Sequence, residues 1–293
     1  MFPIHLNLGF RLFPFYEGFY FLVAITAACL LGGWRLAQAK LDVEGFTDSI
    51  TWILLGAILG ARVFHFVFWD WASFRADPMV FFRLWDGGLA IAGGLAGGVL
   101  AAWICFHRRK MDFWAHSWAL SPAVLIGQAI GRVGCFLNGD AWGIPTRLPW
   151  GVALPKFGRI IPGLILDPTR TSDAWEWSVA KGYTAPSALR TVPLHPTQLY
   201  EALGDLLLAG LVLLSVRSLV RKQGPPQRPL LLHLGGYSLL RFGLEFLHGD
   251  RDAVLWAGMT AFQVGLLACA ILCAVLYPLA AWRWAGSLGQ PTR

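Results

Sequence analysis

The sequence predicts an all-α, polytopic integral membrane protein of about seven transmembrane helices, with its N-terminus outside and its C-terminus cytoplasmic. Three observations carry that expectation. Of the 293 residues, 56% are hydrophobic and 14% charged, with a mean hydropathy of +0.54, whereas a soluble domain averages about 25% charged. Fifteen Trp and twenty Phe suit an outer surface that faces lipid and meets the headgroups through aromatic rings. Finally, the basic residues fall unevenly between alternate connections. This composition excludes disorder, collagen and a disulfide scaffold.

Crossing about 30 Å of hydrocarbon takes roughly 20 mostly apolar residues as helix. Seven stretches meet that requirement, at 15–34, 50–69, 87–106, 118–137, 197–216, 230–247 and 254–277. The first lacks a basic leader and is long enough to span, so it is expected to stay as a helix and not to be a cleaved signal. A single membrane domain is expected over 1–293, with 138–196 a Pro- and Gly-rich extracytoplasmic loop or cap within it. Connections of that length are usually functional or disordered.

With the N-terminus outside, the inner connections and tail hold Arg35, Lys40, Arg108, Arg109, Lys110, Arg217, Arg221, Lys222, Arg228, Arg283 and Arg293. The short outer segments hold Arg11, Arg75, Arg83 and Arg251. Eleven against four sets the orientation by the positive-inside rule. The net charge of +7 therefore sits mainly beside cytoplasmic helix ends, next to anionic lipid, and no nucleic-acid partner is expected. Five cysteines make no disulfide framework. Cys29, Cys105, Cys269 and Cys273 lie in apolar runs as small core residues, and neither a metal nor a cofactor is expected.

A charged group inside a spanning helix costs about 2.5–3.5 kcal/mol on insertion scales, so each needs a partner, a watery cavity or a function. The second stretch carries Arg62. In the fourth, Gln128 and Arg132 are four apart and share a face. Gln198, Glu201 and Asp205 share a face of the fifth, which opens His195-Pro196-Thr197. On the sixth, Arg241 and Glu245 are four apart, with His248 nearby. The economical geometry is a shared interior cavity with Arg62, Arg132 and Arg241 set against Glu201 and Glu245, and Asp205 nearer the cytoplasm. Arginine suits bidentate phosphate recognition, so such a cavity would fit a phosphate-bearing lipid headgroup. Plainer readings stand beside this one: Arg241 and Glu245 as an intrahelical pair, His195-Pro196 as a helix start, and Arg132 as a structural residue.

Two glycine patterns complete the reading. Gly93 to Gly97 and Gly94 to Gly98 are small-residue repeats that allow close helix contact. The run Gly131-Arg132-Val133-Gly134-Cys135-Phe136-Leu137-Asn138-Gly139-Asp140-Ala141-Trp142-Gly143 brings an arginine, an amide and a carboxylate together where a helix reaches the outer interface.

These residues give the chain its resemblance to the bacterial prolipoprotein diacylglyceryl transferases. It runs in register through Leu59-Gly60-Ala61-Arg62, Ala76-Asp77-Pro78, Trp85-Asp86-Gly87-Gly88, the Gly131 to Gly143 run, His195-Pro196-Thr197-Gln198-Leu199-Tyr200-Glu201 and Arg241 with Glu245-Phe246. The resemblance implies a seven-span enzyme of the bacterial plasma (inner) membrane. It implies transfer of the diacylglyceryl group of phosphatidylglycerol to the lipobox cysteine thiol of a preprolipoprotein, forming a thioether and releasing glycerol phosphate. By position, Arg132 matches the signature arginine that binds phosphatidylglycerol, and Arg241 the second important arginine. Asn138, Gly143, Glu201 and Glu245 match further signature positions, and Arg62 falls in a shared motif. The implied partners are phosphatidylglycerol, lipobox peptides and membrane lipid.

The chain also departs from the family pattern. Ala92 stands where many members carry His, Cys135 where many carry Asn, Asp140 in place of a Glu, and His248 where an Arg is common. The loop 157–190 is long, and both Tyr16 and Tyr20 are candidates for an important tyrosine. With Ala92 unable to take a proton, His195, Asp140 or Glu245 is left as base, or an arginine-rich field lowers the thiol pKa without one. Cys135 has no evident activating base for a covalent role. The rival class is an inactive member that binds or transports lipid. No inverted repeat is visible, which argues against a transporter.

Overall fold

The computed structural model describes residues 15–68, 70–84, 88, 90–156, 171–222, 224–251 and 254–288. Among them the chain is mostly helical. The elements are α1 (Phe15–Gln38), α2 (Val43–Phe68), α3 (Trp71–Ala76), a 3₁₀ turn η1 (Pro78–Phe82), α4 (Ile91–Arg108), α5 (Phe113–Asn138) and α6 (Asp173–Ala180). They continue with α7 (Thr197–Lys222), α8 (Arg228–Glu245), a hairpin β1 (Val254–Trp256) with β2 (Met259–Thr260), and α9 (Ala261–Leu288). Five helices, over Tyr20–Gln38, Val43–Phe68, Phe113–Leu137, Thr197–Leu219 and Ala261–Ala280, are long and apolar enough to cross a membrane. The third and sixth expected stretches coincide with α4 and α8, each of 18 residues. In α8 the polar residues His233, Tyr237, Arg241 and Glu245 dilute the apolar run.

The last expected stretch needs correction at its start. Residues 254–260 are a hairpin and not helix, because Ala257 (φ 49°) and Gly258 (φ 76°) turn the chain back in the left-handed region. A run of Val, Leu and Trp fits either structure by hydropathy, and this turn decides it.

Two compact units emerge, one of Gly33–Leu120 and one made of the chain up to Gly32 together with Ser121 onward. In the first, α2 lies along α4 with backbone against backbone. A Cβ at Gly60 would stand 2.3 Å from the Gly93 carbonyl oxygen, and one at Gly97 would stand 2.2 Å from that of Gly56. The Gly93–Gly97 repeat is therefore a packing device, as small-residue spacing suggests. The neighbouring Gly94 has looser quarters, 3.5 Å from the Ala57 carbonyl. Gly60→Leu is expected to cost about 3 kcal/mol through overpacking, while Gly94→Ala leaves the protein near wild type. Thermal unfolding of the two variants in detergent checks this, and equal midpoints would refute the backbone contact.

Next to that crossing, α3 and η1 form a short connector. Asp70 caps α3 by accepting from Ser73 N at 3.3 Å, and Asp77 caps η1 by accepting from Met79 N at 3.0 Å. Arg83 donates to Asp77 at 2.7 Å and holds its carboxyl below the usual carboxylate range. Leu36, Phe46, Phe106, Met111 and Ala119 form the unit's buried cluster.

In the second unit α7 packs on α8 through glycine notches. Leu240 fills the space a side chain on Gly204 would need, and Leu208 does the same at Gly236. On the far face of α8, Gly235 admits Cys273 of α9. The segment between α5 and α7 has its own core of Trp142, Leu154, Ala174 and Leu194. Short bridges join Pro145 and Val152 to Leu194, and Pro155 to Arg190. Ser172 caps α6 by accepting from Trp175 N at 3.1 Å.

Candidate functional site

Three helix faces of the larger unit meet where α5 and α8 end and α7 begins. On α5 the face carries Gln128 and Arg132, on α7 it carries Gln198, Glu201 and Asp205, and on α8 it carries Tyr237, Arg241 and Glu245. Spacings of three and four along each helix place these side chains in line. Glu201 is the hub, with no solvent exposure. Its Oε1 lies 2.7 Å from Arg132 Nη2 and accepts from the Tyr237 hydroxyl at 3.2 Å. Its Oε2 stands 3.9 Å from Arg241 Nε, and Arg241 Nη1 pairs with Glu245 Oε2 at 2.7 Å. Arg241 thus keeps its intrahelical partner and adds an interhelical one. Phe262 of α9 supports the guanidinium, its ring centroid 5.4 Å from the guanidinium carbon.

Burial explains why these groups come as a network. Removing one partner of a buried pair strands the other charge at several kcal/mol, and here each arginine touches a carboxylate. Asp205, one turn beyond Glu201, is fully buried, and neither of its carboxylate oxygens has a hydrogen-bond partner among the described residues. Of the three arginines expected to share a cavity, this unit holds Arg132 and Arg241. Two arginines face Glu201 and Glu245, with Asp205 behind them.

Arg62 belongs to the other unit and is occupied differently. Its guanidinium donates to the carbonyls of Phe81 (2.9 Å), Gly88 (3.1 Å), Arg83 (3.0 Å) and Val80. It also lies over the Phe66 ring. These contacts tie the end of α2 to the connector that follows, a bracing role.

The chain after α5 is fastened by the first turn of α7. Thr197 Oγ1 donates to Ala141 O at 2.7 Å, and Gln198 Nε2 donates to Asp140 O at 2.6 Å. Gly139 (φ 80°) and Ala141 (φ 54°) make the sharp reversal this requires. Gly143 then threads between two backbones. Ile144 N donates to Leu247 O at 2.8 Å, and His195 N donates to Ile144 O at 3.0 Å. A Cβ on Gly143 would sit 2.5 Å from His195 O, 2.6 Å from His195 Cβ and 3.0 Å from Leu247 O. Backbone atoms cannot step aside cheaply, so Gly143→Ala is expected to lose about 2–3 kcal/mol of stability and most activity. Gly243→Ala on α8, with nothing within 4 Å, is the matched control, and a stable, active Gly143→Ala protein would remove this account.

His195 engages Tyr200, five residues on. Its Nδ1 lies 3.2 Å from the Tyr200 hydroxyl, which accepts from Trp150 Nε1 at 2.7 Å. Burial pushes its imidazole below the ordinary histidine range. Buried His248 pairs with Asp250 at 3.0 Å and bridges Gly143 through the backbone. Tyr20, of the two tyrosine candidates, lies against α5: a side chain at Gly134 would meet its Cβ at 2.5 Å. The side chains of Tyr16, Ala92 and Asn138 lie outside the described residues, as do Trp85, Asp86 and Gly87. Cys135 is half-buried on the same helix as Arg132. Among the described residues no group of three His, Cys, Asp or Glu could hold a metal ion.

Sequence reasoning missed Tyr237. The signal was present, because Tyr237, Arg241 and Glu245 recur every four residues along one face of α8.

Five helices long and apolar enough to cross a membrane, two of which carry part of a buried arginine–glutamate network, fit a polytopic membrane protein. A family model described as prolipoprotein diacylglyceryl transferase matches residues 3–282. The phosphatidylglycerol–prolipoprotein diacylglyceryl transferase of Stenotrophomonas maltophilia is 35% identical over 260 residues, covering 86% of this chain and 82% of the relative. The enzymes of that name from Pseudoalteromonas atlantica and Nitratidesulfovibrio vulgaris are 32% and 30% identical. They cover 90% and 96% of this chain and 81% and 92% of their own lengths. The chain belongs to the prolipoprotein diacylglyceryl transferase family.

Proposed function

We propose that this protein transfers the diacylglyceryl group of phosphatidylglycerol to the lipobox cysteine of preprolipoproteins. Membership of the family supports the reading, and the observation that carries it is the buried Arg132–Glu201–Arg241–Glu245 network. The cysteine sulfur attacks the terminal diacylglyceryl carbon, and the carbon–oxygen bond to phosphate breaks. Glycerol phosphate leaves with the bonding electrons, and the thiol proton is released. Arg132 and Arg241 bind the lipid phosphate and stabilise the charge that grows on it. Glu201 and Glu245 hold the two guanidiniums in place, and Gly143 and Asp140 shape the rim with Asn138. Arg62 acts on lipid only through the connector it braces.

The same reading makes α4 and α8 the third and sixth of seven spans in a single membrane domain of the bacterial inner membrane, N-terminus outside. The segment 138–196 is then an extracytoplasmic cap. Purified protein incubated with phosphatidylglycerol and a lipobox peptide should yield the thioether. Lipid binding without product would favour an inactive, lipid-binding member instead.

The proton step is proposed to need no dedicated base. A thiol of pKa about 8.5 is only about 3% ionised at pH 7, and the arginine field raises that fraction. His195 is the alternative: burial lowers its pKa and so favours the neutral imidazole, the form able to accept a proton. Under the favoured route the ascending limb of kcat/KM against pH persists in His195→Gln, Asp140→Asn and Glu245→Gln. Loss of the limb in one variant alone would identify that residue as the base.

A further inference from the structure

The connection between α8 and α9 carries a surface that the transfer site does not use. Val254, Leu255 and Trp256 of β1 are 58%, 68% and 68% exposed. Successive strand side chains point to opposite faces, so both faces of the hairpin present apolar groups that no described residue covers. Its base is nevertheless rigid. Arg251 donates to Gly258 O and, at 2.6 Å, to Gln263 Oε1, and its guanidinium lies over the Phe246 ring. Thr260 and Gln263 make a reciprocal capping box: Thr260 N donates to Gln263 Oε1 at 3.0 Å, and Gln263 N to Thr260 Oγ1 at 3.1 Å. Gln263 Nε2 reaches Phe242 O on α8 at 3.3 Å.

What covers the hairpin follows from its place in the chain. The membrane-length stretch Ala261–Ala280 of α9 begins directly after β2, so the hairpin stands where hydrocarbon gives way to headgroups. Ile271, Leu272 and Val275, further along α9, are exposed in the same way. Tryptophan is the side chain favoured at that level. The hairpin is also linked to the site, because Phe262, the second residue of α9, lies under the Arg241 guanidinium.

We propose that hairpin 254–260 is a lipid-inserted wedge that seats the α8–α9 corner at headgroup level and, through Phe262, holds Arg241 where a lipid phosphate arrives. Its link to turnover rests on the transferase reading above, whereas its contact with lipid does not. Two measurements on the full chain test it. With a benzophenone amino acid at Leu255, protein in phosphatidylglycerol–phosphatidylethanolamine vesicles should form lipid adducts on irradiation as abundantly as with the probe at Ile271. No adduct at Leu255 beside a clear one at Ile271 overturns the wedge. The double variant Leu255→Asp, Trp256→Asp should raise KM for vesicle phosphatidylglycerol about fivefold at near-normal kcat, a loss of binding and not of chemistry. With short-chain phosphatidylglycerol dispersed in detergent the same variant should match wild type, which also shows that it folds. An unchanged KM in vesicles overturns the seating of Arg241. Should wild type itself give no thioether, the transferase reading fails and the adduct measurement alone decides the wedge.

Discussion

Arg132→Lys is expected to lower diacylglyceryl transfer by at least roughly 100-fold, a loss of about 2.7 kcal/mol of transition-state stabilisation. The charge survives this change, so the loss must come from shape. A guanidinium offers five donors in a planar fork, while an ammonium is a compact point charge on a flexible stem. At position 132 one side chain has to satisfy Glu201 Oε1 at 2.7 Å and still present donors to a phosphate. Lysine can turn to Glu201 or to the phosphate, with poor geometry for both. Arg241→Lys should lose less, about 10- to 100-fold, because Glu245 lies only 2.7 Å away on the same helix and would still anchor an ammonium. Initial rates with saturating peptide settle the matter, and near-normal turnover in both variants would sink the assignment.

The second large effect is at Glu201. Glu201→Gln keeps the shape and removes the charge that stands between two buried arginines. Breaking a buried pair from one side costs about 3–5 kcal/mol, so a large fall in unfolding midpoint is expected. Anion binding should move the opposite way. Without the carboxylate, Arg132 loses the anion that occupies it at rest and Arg241 keeps only Glu245, and glycerol phosphate should bind about tenfold more tightly or better. Product inhibition then strengthens while stability weakens, a combination that a merely damaged protein would not show. Weaker glycerol phosphate binding by a folded Glu201→Gln protein would reject the view that Glu201 and the lipid phosphate compete for the same donors.

Much of this network was legible before any coordinates. The cost of charge in lipid singles out Arg132, Glu201, Asp205, Arg241 and Glu245, and helical spacing groups them by face. Three features escaped. Tyr237 carries no charge and so is passed over when charged residues are singled out, although its hydroxyl bonds Glu201. Arg62 looks like a third phosphate ligand because its partners are backbone carbonyls, which leave no mark in side-chain chemistry. The hairpin at 254–260 merges with α9 in any hydropathy window, and only the backbone at Ala257 and Gly258 separates them. Helices are written in composition and spacing; a turn of two residues or a guanidinium held by carbonyls depends on what the chain brings beside it.

The way the cap closes on itself has a bearing on how freely it can change. Ser172 N donates to Lys156 O at 2.8 Å, and Lys156 N donates to Leu189 O at 2.9 Å. Lys156 and Ser172, which flank residues 157–170, are therefore stitched to each other and to Leu189 by backbone hydrogen bonds. Once a loop's ends are fixed, lengthening it costs little, about 0.6 kcal/mol for each doubling. The stitch acts as an insulator: a change of chain length between Lys156 and Ser172 is expected to leave the Pro155–Arg190 bridge and the core of Trp142, Leu154, Ala174 and Leu194 in place.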